Sequence, residues 1–126
     1  MSPQFLAQRR FHRYQVEAIP DQVLGVVADA KVPLKLLTLG LGGCAFQAWE
    51  IDQNLIPPSK IKCQFELSDG SSKVIRGELI YLRPRAVGTT PLYMYGVQFD
   101  ADERVILAPL VRELEIRAQQ GLLARS

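Results

Sequence analysis

The chain has few of the residues that carry metal, redox or acid–base chemistry: of 126 residues, two are cysteine, one is histidine and one is tryptophan. Cys44 and Cys63 stand far apart in apolar, strand-like settings, with no CxxC spacing and no histidine beside them. That argues against a zinc or redox site and for buried, reduced thiols acting as small core residues. His12 lies between basic residues with no nucleophile, carboxylate or second ligand in a recognisable arrangement, so neither catalysis nor a metal site is expected of it. No apolar run approaches the roughly 18 residues of a spanning helix, so membrane insertion is not expected. Met1 to Arg10 lacks the apolar stretch and cleavage site of a secretory signal, and the expected location is the cytoplasm. A net charge of +2 is too small to imply bulk binding to nucleic acid. Beyond the N-terminal arm the basic residues are scattered, without the interleaved aromatics of an oligonucleotide-binding face.

What is present is an ordinary globular composition, 48% hydrophobic and 22% charged, and a length suited to one domain over 1–126. The local exception is Gln8-Arg9-Arg10-Phe11-His12-Arg13, with three guanidinium groups in five positions and no acidic residue from Met1 to Tyr14. Such a pole seeks phosphate, because the planar fork of arginine holds two oxygens at once and stays charged. Arg9 and Arg13 point the same way on a helical turn and on a strand alike.

After this arm (1–13), strand-like pieces recur: Arg13 to Ala18, Gln22 to Ala30, Pro33 to Leu39, Gly43 to Trp49 and Lys60 to Leu67. Asp52 to Ser59 reads as a polar, proline-bearing break. Gly40-Leu41-Gly42-Gly43 marks a sharp bend, positive φ angles, or a place where something approaches the backbone closely. Ser68-Asp69-Gly70-Ser71-Ser72 is a hairpin turn. Lys73 to Leu82 is a long strand with Gly77 as a candidate bulge, Arg83 to Pro91 a loop, and Leu92 to Phe99 the last strand. Six or seven short strands over 14–99 imply a small antiparallel β-barrel. From Asp100 the pattern changes: Asp100 with Glu103 resembles a capping box, and a C-terminal helix over 101–120 is expected. Ile106, Leu107, Leu110, Val111 and Leu114 would face the barrel, and Arg104, Arg112, Glu113 and Arg117 water. Pro109 would kink that helix or start a second one. Trp49 is expected to pack within the barrel.

The basic RxxxR arm, the glycine-ended turn, the Asp-Gly hairpin, the final strand Tyr95-Gly96-Val97-Gln98-Phe99 and the closing helix together resemble the PilZ domain, over roughly Gln8 to Leu114. The resemblance implies a mostly β, PilZ-type barrel with a C-terminal α-helix that binds cyclic di-GMP and is not an enzyme. It assigns the ligand-gripping arginines to Arg9 and Arg13, with Arg10 beside them. The family's second motif, Asp or Asn, any residue, Ser, two residues, Gly, falls on Thr38 to Gly43. Only Gly43 matches; Thr38 stands where a carboxylate or amide is usual, and Gly40 where a serine is usual. Tyr81 occupies the place of an aromatic that stacks on a base. The ligand is therefore expected to be cyclic di-GMP with no further cofactor, and the partners an effector protein or a second copy of the chain. The competing reading is a degenerate PilZ module that binds no nucleotide and serves protein interaction or oligomerisation.

Overall fold

The computed structural model describes residues 11–19, 23–67, 70–121 and 123–124. In chain order these form β1 (Arg13–Tyr14), a 3-10 turn (Val16–Ala18), β2 (Val23–Val27), β3 (Lys35–Gly40), β4 (Gly43–Ala48), β5 (Ser59–Leu67), β6 (Ser72–Val87) and β7 (Thr90–Phe99). A second 3-10 turn (Ala101–Glu103) leads into helix α1 (Arg104–Gln119). The seven strands make one sheet in the order β1-β3-β4-β7-β6-β5-β2, and each adjacent pair runs antiparallel. This is the mostly β architecture, closed by one C-terminal helix, that the sequence leads one to expect.

Period-two alternation sets the inner face of each strand. On β5, Cys63 and Phe65 are buried while Lys60, Lys62, Gln64 and Glu66 face outward. Cys44, Phe46 and Ala48 line the inner face of β4, whose other residues are buried as well, and Tyr95, Val97 and Phe99 line that of β7. Phe65 and Phe99 meet edge to face, with ring centroids 5.8 Å apart, a geometry aromatic quadrupoles favour. Leu107 and Leu114 of α1 complete this core. Burying each such side chain is worth about 1.5–3 kcal/mol. Both cysteines are free and fully buried. Burial, then a hydrogen bond with Cys63, pushes the Cys44 thiol well above its ordinary value, so two thiols distant in the chain are neighbours inside the core.

Several local expectations give way to the tertiary structure. The first strand ends at Tyr14 and turns at once into the Val16–Ala18 3-10 segment, which buries Val16. The segment expected to run to Ala30 stops at Val27, and Asp29 turns the chain with a φ of 68°. Arg83 to Pro91 is a paired ribbon, with Pro84 opposite Tyr93 and Val87 opposite Thr90. Pairing of β5 with β6 ends at Leu79 and that of β4 with β7 at Tyr93. The ribbon beyond therefore has no strand partner on its outer edges among the described residues, and there a proline's missing N–H costs nothing. The irregularity in β6 lies between Leu79 and Tyr81, not at Gly77. Gly77 is glycine because a Cβ there would come within 2.6 Å of the Gln98 carbonyl oxygen.

Asp100 makes no side-chain cap. Glu103 instead accepts hydrogen bonds from the Arg76 backbone N–H (3.1 Å) and Nε (2.8 Å), because a guanidinium on β6 is the stronger donor. That partner holds the Glu103 carboxyl below its ordinary range. Helix α1 runs unbroken through Pro109. Ile106 is exposed rather than packed, and Arg104, expected in water, is half-buried. Trp49, expected inside, is 56% exposed, because β4 ends one residue earlier.

The stretch read as a plain polar break contains a buried carboxylate. Asp52 is fully buried. It accepts from the backbone N–H groups of Lys31 (2.6 Å), Val32 (2.9 Å) and Asn54 (2.8 Å), and its own N–H donates to the Tyr95 hydroxyl at 2.8 Å. Burial alone would raise the Asp52 carboxyl, but the three N–H donors more than offset it and hold it below the usual carboxylate value.

Candidate functional site

At the opposite end of β4, the arm meets the glycine bend. β1 pairs with β3 through Arg13↔Gly40 and Tyr14↔Leu39. Tyr14 and Leu39 are buried in the core, so Arg13 and Gly40 lie on the outer face. None of Gly40, Gly42 and Gly43 has a positive φ, so the bend does not draw on glycine's conformational freedom. Close approach explains all three. A Cβ at Gly40 would collide with the His12 carbonyl oxygen and lie 3.2 Å from Arg13 Cα. At Gly42 it would sit 3.0 Å from Phe11 Cδ2. At Gly43 it would strike the Val97 carbonyl and lie 2.8 Å from Arg13 Nη2. The end of the arm, Phe11 to Arg13, thus lies flat on the bend, with the Arg13 guanidinium over Gly43.

From there the outer face extends across the sheet. One row of partners is Thr38, Ala45, Gly96 and Tyr81. At about 4.8 Å per strand, its two ends stand about 14 Å apart over a floor of alanine and glycine. The Thr38 hydroxyl oxygen is buried and has no hydrogen-bond partner among the described residues. The Tyr81 ring packs on Gly96, and the Arg83 guanidinium carbon lies 4.4 Å from its centroid. The neighbouring row holds Lys35, Gln47, Met94 and Arg83, where Arg85 Nη1 donates to Gln47 Oε1 at 2.8 Å.

Of the residues chosen from sequence, Arg13, Thr38, Gly40, Gly43 and Tyr81 share this one outward face. Arg9 and Arg10 lie outside the described residues. Sequence reasoning missed Arg83, Arg85 and Phe11. The two arginines fall in the segment read as a loop, although their i, i+2 spacing would align them on a strand. Phe11 was read only as part of a basic cluster. The face as a whole offers guanidinium groups, above a layer in which Ala45, Gly96 and the unpartnered Thr38 hydroxyl oxygen are buried. It suits a flat anionic molecule, although Glu78, in the row of Gly43 and Gln98, adds one carboxylate at its rim. Among the described residues no cluster of His, Cys, Asp and Glu could hold a metal ion, and no helix is long and apolar enough to cross a membrane.

No protein-family model and no curated protein matches the chain. Its fold is similar to a solved structure, the PilZ domain with c-di-GMP of YcgR from Escherichia coli. The TM-score is 0.63 with 19% identity, covering 90% of this chain and 96% of that one. The likeness establishes a PilZ-type fold.

Proposed function

We propose that this protein is a non-enzymatic cyclic di-GMP receptor or adaptor that passes occupancy of its outer barrel face to an effector protein in the cytoplasm. The observation that carries the reading is the Arg13 guanidinium seated over Gly43, at the head of an outward face floored by Ala45 and Gly96. The structural neighbour with this fold is described as a domain with c-di-GMP. Arg13, with Arg9 and Arg10 from the rest of the arm, would grip phosphate. Each charge-assisted contact is worth about 1.5–3 kcal/mol net. Gly40 and Gly43 keep the backbone open to close approach, the Thr38 hydroxyl gains the partner it lacks, and a purine stacks on the Tyr81–Arg83 pair. Thr38 cannot accept two guanine donors as a carboxylate would. Leaving a donor unsatisfied costs about 1–3 kcal/mol, so affinity should be weaker than where the second motif is complete.

Calorimetric titration with cyclic di-GMP tests this. The expected result is saturable binding that Arg13→Ala weakens tenfold or more while the melting temperature barely moves. Unchanged affinity in that variant would rule the reading out. One observation favours the second reading, a module for protein interaction alone: the His12 carbonyl and Arg13 occupy the space above Gly40 that the motif's serine would need. Absence of both heat and thermal shift at high micromolar nucleotide would leave that reading standing.

A further inference from the structure

We propose that Arg104, the first residue of α1, is a positioning residue for the arm: with Phe11 it forms a latch that seats Arg13 over the glycine bend and couples the outer face to the helix. Phe11 stands two residues before Arg13, and both side chains bear on the same bend, Phe11 at Gly42 and Arg13 at Gly43. The Arg104 guanidinium carbon lies 5.1 Å from the Phe11 ring centroid, within cation–π range. Its Nε is buried with no hydrogen-bond partner among the described residues. Here a guanidinium has given up a hydrogen bond to cover a ring, which is intelligible if the ring holds it there.

The base of this latch is fixed. Glu103, one residue earlier, is pinned to β6 by Arg76 at 2.8 and 3.1 Å. The Phe99 N–H donates to the Gly42 carbonyl at 2.9 Å, joining the end of β7 to the same bend. On the other flank, the Gln15 N–H donates to the Ala124 carbonyl at 2.9 Å. The short stretch from Phe11 to Gln15 is therefore held at both ends by chain that borders the helix. A ligand that draws on Arg13 finds the arm already ordered, so the latch lowers the ordering cost of binding. By linkage, a ligand that shifts the arm must change the Phe11–Arg104 contact by the same free energy. The coupling to ligand rests on the receptor reading above; the latch itself is a property of the free protein.

Limited trypsin digestion of the ligand-free protein tests the latch directly. Arg104→Gln and Phe11→Ala should each speed cleavage after Arg13 by about 3- to 30-fold, the range a partly buried cation–π contact implies. Cleavage after Lys62, inside β5, and the melting temperature should stay put. The double variant should cleave no faster than the faster single one, and Arg104→Lys, which keeps the cation, should restore part of the protection. In calorimetry with cyclic di-GMP the same variants should lose affinity by a similar factor. Unchanged cleavage after Arg13 in Arg104→Gln, or effects of the two substitutions that simply multiply, would overturn the latch. A wild-type protein that binds no cyclic di-GMP yet shows the cleavage pattern would support the latch and defeat the receptor reading.

Discussion

At the loop end of β4, Asp52 is buried with three backbone N–H groups on its carboxylate and a tyrosine hydroxyl on its own N–H. At the arm end, the Thr38 hydroxyl is buried with no partner among the described residues, and the glycines of the bend lie against the arm and, at Gly43, also against β7. Both ends bring polar groups close to the core, but one is saturated and the other is not. A buried polar group costs little once paired and about 1–3 kcal/mol when unpaired. The saturated end therefore acts as a rivet, while at the unsaturated end the receptor reading has a ligand supply the partner that the Thr38 hydroxyl lacks. Stability and binding should accordingly respond to different substitutions.

The largest effect should come from pulling the rivet. Asp52→Ala leaves three N–H donors without an acceptor and should cost about 3–5 kcal/mol in urea unfolding, with cyclic di-GMP affinity unchanged in the folded protein. A matching loss of affinity would mean the two ends are one cooperative unit.

Next is Gly40→Ser, which restores the family's usual residue at the arm end. Because a Cβ there collides with the His12 carbonyl, the arm must lift. The expected result is weaker cyclic di-GMP binding, not stronger, with a stability loss of about 1–3 kcal/mol. Tighter binding would show that the seat of the arm against Gly40 is not the binding conformation.

The smallest effect is on pH dependence. The depressed Asp52 carboxyl contributes stability that is present above the ordinary carboxylate pKa and lost as pH falls through its lower folded value. The melting temperature of the wild type should thus fall more steeply below about pH 4 than that of Asp52→Asn. Glu103, also depressed by its partner Arg76, leaves a residual slope in that variant. Parallel curves would mean Asp52 is not the group that titrates.

The strands over Lys60 to Leu67 and Leu92 to Phe99 were legible because alternation reports one buried face directly. The ribbon from Arg83 to Pro91 was not. Its prolines and glycine read as loop chemistry, and only the early ends of β4 and β5 leave edges, without a strand partner among the described residues, that tolerate them. The Arg13 end of the site was visible as charge. The reason for its glycines was not, since tight bends and close approach both select the residue without a Cβ. Asp52 was misread because its acceptors' partners are backbone N–H groups, which every residue but proline carries and no sequence pattern marks.

The order of apolar and polar residues was enough to determine a mostly β chain closed by a helix, and the arginine cluster was enough to mark a basic arm. Both are local properties, set by period and by charge. Which surface the arm lies on, that Arg104 reaches Phe11, and that Arg85 reaches Gln47 were decided only in the folded sheet. Such contacts join residues far apart in the chain, and their energies exist only once the backbone between them has been ordered.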